Sequence, residues 1–288
     1  MNYSAWKLSP KKRQQLGLIT AVMGSLVVVR SASAQLGSPQ DVYNSAPMYD
    51  AFGSILPGTN PYLSNDCTVV PGCLVQILSA GSNGVAHVAN LDGSPSGGDS
   101  NLFTTFVGQG DYDCVSFAGQ FSTSFSPPPA NGTKIYARVF NAPTVGQATA
   151  WGQSADFTTD GSTVMDLSVL GLKATTMPKG VNLSTTLDPK GLTYLFELVA
   201  NTNPQISTDL FAAGSIVVPS QTGQPIQVTV KGHVGRMYTL QRSTDLVTWS
   251  NIASSATGVL TADTSLMLTD PSPPVSPKLF YRVDVTMP

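Results

Sequence analysis

Charged residues are scarce in this chain. Lys, Arg, Asp and Glu make up 11% of its 288 residues, against about 25% in typical soluble proteins. Only one glutamate occurs, Glu197. Because Glu and Lys are good helix formers that normally cover helix surfaces, their scarcity argues against a mostly helical fold. The 26 glycines and 21 prolines separate short runs rich in Val, Ile, Thr, Tyr and Phe, which predicts an all-β protein.

Clustered positive charge is also missing. Five of the 15 basic residues precede position 35, so the rest of the chain carries 10 basic and 17 acidic residues, a net charge of −7. A nucleic acid partner would require clustered Lys and Arg to neutralise its phosphates, so this class of partner is excluded. No later apolar run approaches the roughly 20 residues of a transmembrane helix. The sequence therefore predicts no transmembrane segment in the mature chain.

Cysteine and histidine number only three and two. A zinc site takes about four ligands, and none of these residues pair at metal-binding spacing, so a zinc centre is not expected. In an oxidising compartment Cys67 and Cys73 are the natural disulfide pair, because the Pro71-Gly72 turn between them can bring their side chains together. Cys114 is then either a buried free thiol or the true partner of one of the others.

The first 34 residues have the layout of a secretory signal peptide. Basic residues at 7 and 11–13 precede an apolar run of 14 residues at 16–29, and an Ala-Ser-Ala cleavage site follows at 32–34. The apolar run is too short to span a bilayer. We therefore expect a mature chain that begins at Gln35 and is secreted or held in the cell envelope, in the periplasm or at the cell surface.

Turn residues divide the rest of the chain into four segments. Residues 35–61 are predicted to be a leader, 62–160 a β-sandwich domain, 161–213 a connector and 214–288 a second, small β-sandwich. The connector holds one predicted helix, 191–200, whose apolar residues recur at helical spacing.

Residue alternation predicts the strands. The expected strands of the first domain are 74–78, 101–107, 114–125 and 134–140, the last with Ile135, Ala137 and Val139 on one face. The expected strands of the second domain are 215–218, 226–232, 236–243, 248–254, 265–269 and 279–285.

Four aspartates in the first domain are candidate metal ligands. Asp111 and Asp113 alternate, which would place both carboxylates on one face of a strand, and Asp92 and Asp99 would add oxygens to a calcium site. The alternatives for the close pair are a loop end and a catalytic carboxylate pair of the kind that a glycosidase needs. Calcium is therefore the one cofactor that the sequence leaves open, and otherwise none is expected.

No complete nucleophilic site accompanies these aspartates. Residues 98–102 (Gly-Asp-Ser-Asn-Leu) resemble the nucleophile block of a family of secreted esterases, which also need a His that is held by an Asp. Val230 stands three residues before His233, where such a site would require Asp. A turn is therefore the favoured interpretation of 98–102.

Two tryptophans offer a candidate ligand-binding platform for sugar rings. Trp151 lies among Ala and Gly residues and is the candidate ligand-binding residue, with a place in the core as its alternative. Trp249 lies in a strand that matches the one carrying the core tryptophan of immunoglobulin-like sandwiches. We therefore expect Trp249 to be buried.

The C-terminal segment carries a recognisable pattern. Residues 237–249 (Met-Tyr-Thr-Leu-Gln-Arg-Ser-Thr-Asp-Leu-Val-Thr-Trp) contain Y-x-L-Q-R-S-T-D-L-x-x-W, and Leu-Thr-Asp-Pro at 268–271 and Phe-Tyr-Arg-Val at 280–283 complete it. The segment resembles the small immunoglobulin-like or fibronectin-III-like module found at the C-terminus of secreted bacterial proteins. This resemblance covers about a quarter of the chain and implies a β-sandwich, without a settled activity. The first domain resembles, more loosely, other exported β proteins of no assigned function.

The connector helix resembles a calcium-binding linker that often precedes such modules, with the pattern D-G-D-G-L-x-x-L-x-E-x-x-x-G-T-N-P. Asp188 is all that is left of the usual acidic cluster, and Lys190 stands where the linker has a ligand. Calcium needs 6 to 8 oxygen ligands. We therefore expect a decayed copy that keeps the helix and has lost the ion.

These observations favour an exported, non-enzymatic protein with a structural, adhesion or interaction role, whose partner is a surface protein or a polysaccharide. A carbohydrate-binding module protein that assists polysaccharide degradation is the alternative, and a secreted hydrolase is the third. Two or three aromatics exposed on one sheet face would favour the alternative. A cleft with paired Asp residues and a raised pKa would favour the hydrolase.

Overall fold

The central strand of the largest sheet is buried on both faces, and its alternating side chains show why. In β6 (Lys134–Phe140), Ile135, Ala137 and Val139 belong to one buried apolar cluster, whereas Phe140 belongs to a second cluster. Because successive side chains of a strand point to opposite faces, β6 is covered on both faces. The predicted apolar face of residues 135, 137 and 139 is confirmed.

A computed structural model describes residues 40–58, 72–108, 118–161, 164–172, 174–219, 221, 223–252, 256–276 and 278–287. The structure is mostly β, as the composition predicts. Besides β6, its strands are β1 (Gln40–Tyr43), β2 (Tyr49–Asp50), β3 (Leu74–Ser79), β4 (Ser100–Phe106), β5 (Ser122–Phe125), β7 (Ala150–Gln153), β8 (Phe157–Thr158), β9 (Val164–Asp166), β10 (Ala174–Thr175), β11 (Met177–Pro178), β12 (Ala213–Val217), β13 (Ile226–Gly232), β14 (Met237–Ser243), β15 (Ser250–Asn251), β16 (Thr264–Asp270) and β17 (Phe280–Thr286).

The described strands form five sheets. The largest sheet has the strand order β11-β7-β6-β3-β4, and β8 also pairs with β6. Two smaller sheets, β5-β1-β9 and β10-β2, also belong to the N-terminal part. Two three-stranded sheets, β12-β13-β16 and β15-β14-β17, follow in the C-terminal part. The long pairings within these last two sheets are antiparallel and in continuous register.

Buried clusters lie on both faces of the largest sheet. The first cluster joins Val75 and Ile77 of β3 to Val42 of β1 and Phe125 of β5. The second includes Trp151 of β7 and lies on the opposite face of β6. The largest sheet is therefore the middle layer of the N-terminal part, and polar side chains within it are buried.

A third cluster fills the space between the two C-terminal sheets. Val228 of β13 and Leu268 of β16 belong to it, together with Tyr238 and Leu240 of β14 and Val285 of β17. These residues alternate with more exposed ones along their strands, which is the pattern of a sheet with one covered face.

One helix, α1 (Tyr194–Ala200), contributes to two of these clusters. Leu198 belongs to the second cluster and Ala200 to the third. The buried Arg236 holds the end of this helix: its Nε donates to the Val199 carbonyl (3.0 Å) and its Nη2 to the Leu198 carbonyl (2.8 Å). All described residues belong to one compact unit, 37–288, and the predicted boundaries near 160 and 214 stay predictions.

The approach of Gly235 to Ala155 predicts a stability effect. Gly235 has φ +74°, and a Cβ there would lie 2.3 Å from the Ala155 Cβ. Gly235→Ala is therefore expected to lower the free energy of unfolding by about 2–4 kcal/mol, from left-handed backbone strain plus overpacking. Urea denaturation measures the change.

Gly180→Ala is the matched control. Gly180 has φ +88° with nothing within 4 Å of the added Cβ, so it reports backbone strain alone, about 1–2 kcal/mol. Equal losses in the two variants would contradict a tight contact between Gly235 and Ala155.

Candidate functional site

Trp151, the residue predicted as a sugar platform, lies inside the second cluster. Its side chain is 2% exposed, and the guanidinium of Arg138 lies over the ring at 5.2 Å from the centroid. A stacking platform must present its ring to solvent. The structure therefore corrects this prediction in favour of its alternative, a place in the core.

Trp249, predicted to be buried, is partly exposed. It precedes the short strand β15, and the Arg282 guanidinium covers its ring at 4.3 Å from the centroid. The prediction of a core position is therefore wrong. Within the described part, the predicted strand 248–254 is reduced to the two residues of β15, Ser250 and Asn251. Trp249 therefore lies just before this strand and not within it.

Asp99, a candidate calcium ligand, is the centre of a hydrogen-bond network. Its side chain is 0% exposed. Oδ1 accepts from the Gly81 amide (3.0 Å) and lies 3.1 Å from His87 Nδ1, while Oδ2 accepts from the His87 amide (2.8 Å) and the Tyr136 hydroxyl (2.6 Å). Burial raises the pKa of Asp99, but these hydrogen bonds outweigh it and hold the pKa below its ordinary value. Asp99 therefore ties its loop to β6.

The predicted four-aspartate calcium site is not assembled by the described residues. Asp92 accepts from the amide and hydroxyl of Ser94 within its own exposed turn, and both Asp99 oxygens are already engaged. Asp111 and Asp113 lie outside the described residues. In the part of the chain that the structure describes, no three His, Cys, Asp or Glu residues are grouped to hold a metal ion.

The predicted disulfide is also absent at its described end. Cys73 is a free thiol, 1% exposed, inside the first cluster, and Cys67 lies outside the described residues. Burial raises the pKa of Cys73 to about 11, so the reactive thiolate is rare at neutral pH. Its side chain is used for packing, which corrects the expected Cys67–Cys73 bridge.

A buried polar row crosses the largest sheet. Gln76 pairs with Arg138, which pairs with Gln153, on three adjacent strands. Arg138 is 0% exposed, and its Nη2 donates to the His87 carbonyl (2.9 Å) and to Gln153 Oε1 (3.0 Å). Burial lowers the pKa of Arg138. Its position between Ala137 and Val139, two apolar residues of β6, is the sequence signal for this row.

An oxygen cage encloses the ammonium group of Lys190. Lys190 Nζ lies 3.0 Å from Glu197 Oε2, 3.1 Å from the Asn203 carbonyl, 2.8 Å from the Asp209 carbonyl and 3.8 Å from Asp188 Oδ2. The lysine side chain is 7% exposed, and both carboxylates are 0% exposed. The ammonium therefore supplies a positive charge inside the segment that resembles a calcium linker.

A cleft opens beside α1. Its volume is about 310 Å³, and its lining includes Gln153 and Met177 from the largest sheet, Glu197 from α1, Phe211, and His233 from the end of β13. His233 Nδ1 lies 3.2 Å from Asp263 Oδ2. The N-terminal and C-terminal sheets both contribute walls, and sequence reasoning did not bring these residues together because they are far apart in the chain.

β12 is an exposed sheet edge. Among the described strands it pairs with β13 alone, and all five of its residues are exposed. Ile216 and Val217 are 51% and 55% exposed, and Val218, which follows the strand, is 69% exposed. The edge therefore presents apolar side chains beside backbone groups that are available for a further strand.

Within the described residues no helix is long and apolar enough to cross a membrane. No protein-family model matches the chain, and no curated protein matches it either.

Proposed function

We propose that this chain is an exported, non-enzymatic protein of two β-sandwiches, with a structural role that depends on association through the β12 edge. The observation that carries the proposal is that all five residues of this edge strand are exposed, Ile216 and Val217 among them. The signal-peptide layout of residues 1–34 supports export. Secretion or retention in the cell envelope is part of the same proposal.

Natural proteins usually protect a sheet edge with Lys, Pro or an irregularity. The pairing of β12 with β13 has one register shift, between Ala213 and Ser215, and the remainder to Val217 is regular. No charged residue occurs anywhere in 210–230. From Ser215 to Val217 the edge has neither a charge nor a register shift, and an apolar edge of this kind suits addition of a strand from another molecule.

The occupant that we propose is β12 of a second copy of this chain. Antiparallel pairing of two identical edges gives a two-fold symmetric contact in which each copy contributes Ile216 and Val217. Because the edge is uncharged, the pairing buries no Lys, Arg, Asp or Glu from 210–230. The pairing would join two three-stranded sheets into one six-stranded sheet.

Sedimentation velocity of the protein exported by a bacterial host tests this proposal. We expect a concentration-dependent dimer in this measurement. We also expect the exported protein to begin at Gln35, which its intact mass would show. Val217→Lys is expected to weaken the dimer by about tenfold or more, because an unpaired ammonium would be placed at the contact.

Val247→Lys is the matched control. Val247 is 82% exposed and is not a residue of β12, so the variant adds the same charge outside the edge strand, and we expect its dimer to be unchanged. A wild-type chain that stays monomeric throughout the concentration range, or equal weakening by the two variants, would contradict association through β12.

A further inference from the structure

The loop between β3 and β4 carries an Asn-Gly pair at residues 83 and 84. A second Asn-Gly pair occurs at 131 and 132, and both asparagines are exposed. In such a pair the backbone nitrogen of the glycine can attack the side-chain amide carbon of the asparagine, because the glycine has no Cβ to hinder the approach. The groups around each amide therefore decide which pair reacts.

A backbone donor polarises the side-chain amide of Asn83. Asn83 Oδ1 accepts from the Val85 amide at 3.0 Å, and this bond also identifies the oxygen of the side chain, since only an acceptor can face an N–H group. Attack on the amide carbon would move negative charge onto Oδ1. The Val85 N–H already points at that oxygen, so it stabilises the charge in the way that an oxyanion-hole donor does.

A histidine lies beside the nitrogen that would leave. His87 Nε2 lies 3.3 Å from Asn83 Nδ2, and His87 Nδ1 lies 3.1 Å from Asp99 Oδ1. Because an ionised carboxylate can only accept hydrogen bonds, Nδ1 carries the hydrogen and Nε2 is the nitrogen that can take up and release a proton. The carboxylate therefore orients the ring and stabilises its protonated form, as the aspartate does in a Ser-His-Asp triad.

The second Asn-Gly pair has the same attacking group in different surroundings. The Gly84 amide donates to the Gly81 carbonyl (2.8 Å) and the Gly132 amide to the Thr159 carbonyl (2.6 Å), and both glycines have positive φ, +64° and +84°. Within the described residues, neither a backbone N–H nor a histidine hydrogen-bonds to the Asn131 side chain. The two pairs therefore differ in the groups that assist departure of the amide.

We propose that Asn83 is a self-modification site that loses its side-chain amide as ammonia, with His87 as the general acid. A solvent hydroxide removes the proton of the Gly84 nitrogen, which bonds to Asn83 Cγ. The Cγ–Nδ2 bond then breaks as the His87 imidazolium gives its Nε2 proton to the departing nitrogen, and a five-membered succinimide is left. His87 regains the proton from water, which restores the hydroxide. A second water opens the ring to aspartate or isoaspartate.

The reaction changes the charge of the loop. A neutral side chain becomes a carboxylate beside His87 Nε2, whose ring already has Asp99 at its other nitrogen. None of the residues involved belongs to β12. The modification therefore goes beyond the association proposed for β12 and does not depend on it.

Peptide mapping by mass spectrometry tests the proposal on the full exported chain, incubated at neutral pH. The measured quantity is the rate at which each Asn-Gly peptide gains the mass of an amide-to-acid conversion. A positioned general acid contributes about 10²–10⁴-fold, so we expect Asn83 to react about tenfold faster than Asn131 or more. In the urea-unfolded chain the two rates are expected to converge, because His87 is then no longer held beside the amide.

His87→Asn tests the general acid directly. Its side-chain nitrogen can take the place of Nδ1 and keep the bond to Asp99, whereas Nε2 is lost. We expect the variant to slow the reaction of Asn83 by about tenfold or more and to leave that of Asn131, the control within the same sample, unchanged. Fragment masses assign the gain to position 83. Equal rates for Asn83 and Asn131 in the folded wild type, or an unchanged Asn83 rate in His87→Asn, would overturn the proposal.

Discussion

Replacing Lys190 by Met is expected to lower the free energy of unfolding by about 3–5 kcal/mol, the usual cost of removing one partner from a buried ion pair. The substitution keeps the length of the side chain and removes its charge. The Glu197 carboxylate is then left without its cation at 0% exposure, and the Asn203 and Asp209 carbonyls lose a donor. Guanidinium denaturation of the purified chain measures the loss.

Lys134→Met is the matched control for this prediction. Lys134 Nζ lies 2.9 Å from Asp156 Oδ2, but the lysine side chain is 37% exposed and the carboxylate 17%. An ion pair of this kind contributes about 0–1 kcal/mol. A loss for Lys190→Met no larger than that for Lys134→Met would show that the cage does not hold the connector.

The same cage explains why we expect no response to calcium. In the wild-type chain the Lys190 ammonium already lies among the oxygens of the connector. Adding calcium or a chelator is therefore expected to leave the melting temperature unchanged. A rise in melting temperature with calcium would show that the decayed linker still binds the ion.

Asp99→Ala is expected to lower the free energy of unfolding by about 3 kcal/mol or more at neutral pH. The substitution removes the acceptor for the Gly81 and His87 amides and the Tyr136 hydroxyl, and each buried donor left unpaired costs about 1–3 kcal/mol. Tyr136 itself is 0% exposed, so its hydroxyl has little access to water. Urea denaturation at pH 7 measures the change.

The pH dependence gives a second test of Asp99. Its pKa is lowered in the folded chain, against about 3.9 in an unfolded one. The ionised carboxylate therefore contributes stability that is fully present above pH 3.9 and is lost as the pH falls through the folded pKa. The difference in stability between wild type and Asp99→Ala should accordingly shrink in acid.

Asp92→Ala is the control for both measurements. Asp92 lies in an exposed turn and bonds only to Ser94 among the described contacts, so its removal is expected to change stability little. If Asp92→Ala and Asp99→Ala lowered the free energy of unfolding equally, the hydrogen bonds around Asp99 would not account for the loss.

The strands were the predictable part of this structure, since one covered face leaves a period of two in the sequence. The expected strands 226–232 and 134–140 coincide with β13 and β6. The expected helix 191–200 begins later, at Tyr194, because Thr193 caps it by accepting from the Phe196 amide.

The cage and the cleft were less predictable, because their geometry depends on backbone groups and on residues distant in sequence. Lys190 was expected only to displace a calcium ligand. The carbonyls of Asn203 and Asp209 that surround its ammonium carry no signal in residue type. Gln153 and Glu197 are 44 positions apart, and no local pattern relates them.

The burial of Trp151 and Cys73 shows that residue type and local sequence do not decide whether a side chain is buried. A tryptophan among small residues and a cysteine after a Pro-Gly turn are each compatible with a ligand face or a disulfide. Both side chains instead fill the two clusters on either side of the largest sheet. Packing of this kind is set by the tertiary arrangement, which local sequence does not specify.

The position of α1 determines whether the N-terminal and C-terminal parts of the chain can be separated by gene rearrangement. A module that joins its neighbour through a free linker can be moved between genes without loss. Here Leu198 and Ala200 of one short helix complete two different cores, and Arg236 of the C-terminal part holds the helix end. A gene fusion that broke the chain near residue 214 would take Ala200 away from the C-terminal core and would take Arg236 away from the end of the helix. The two parts should therefore persist or be lost as a pair.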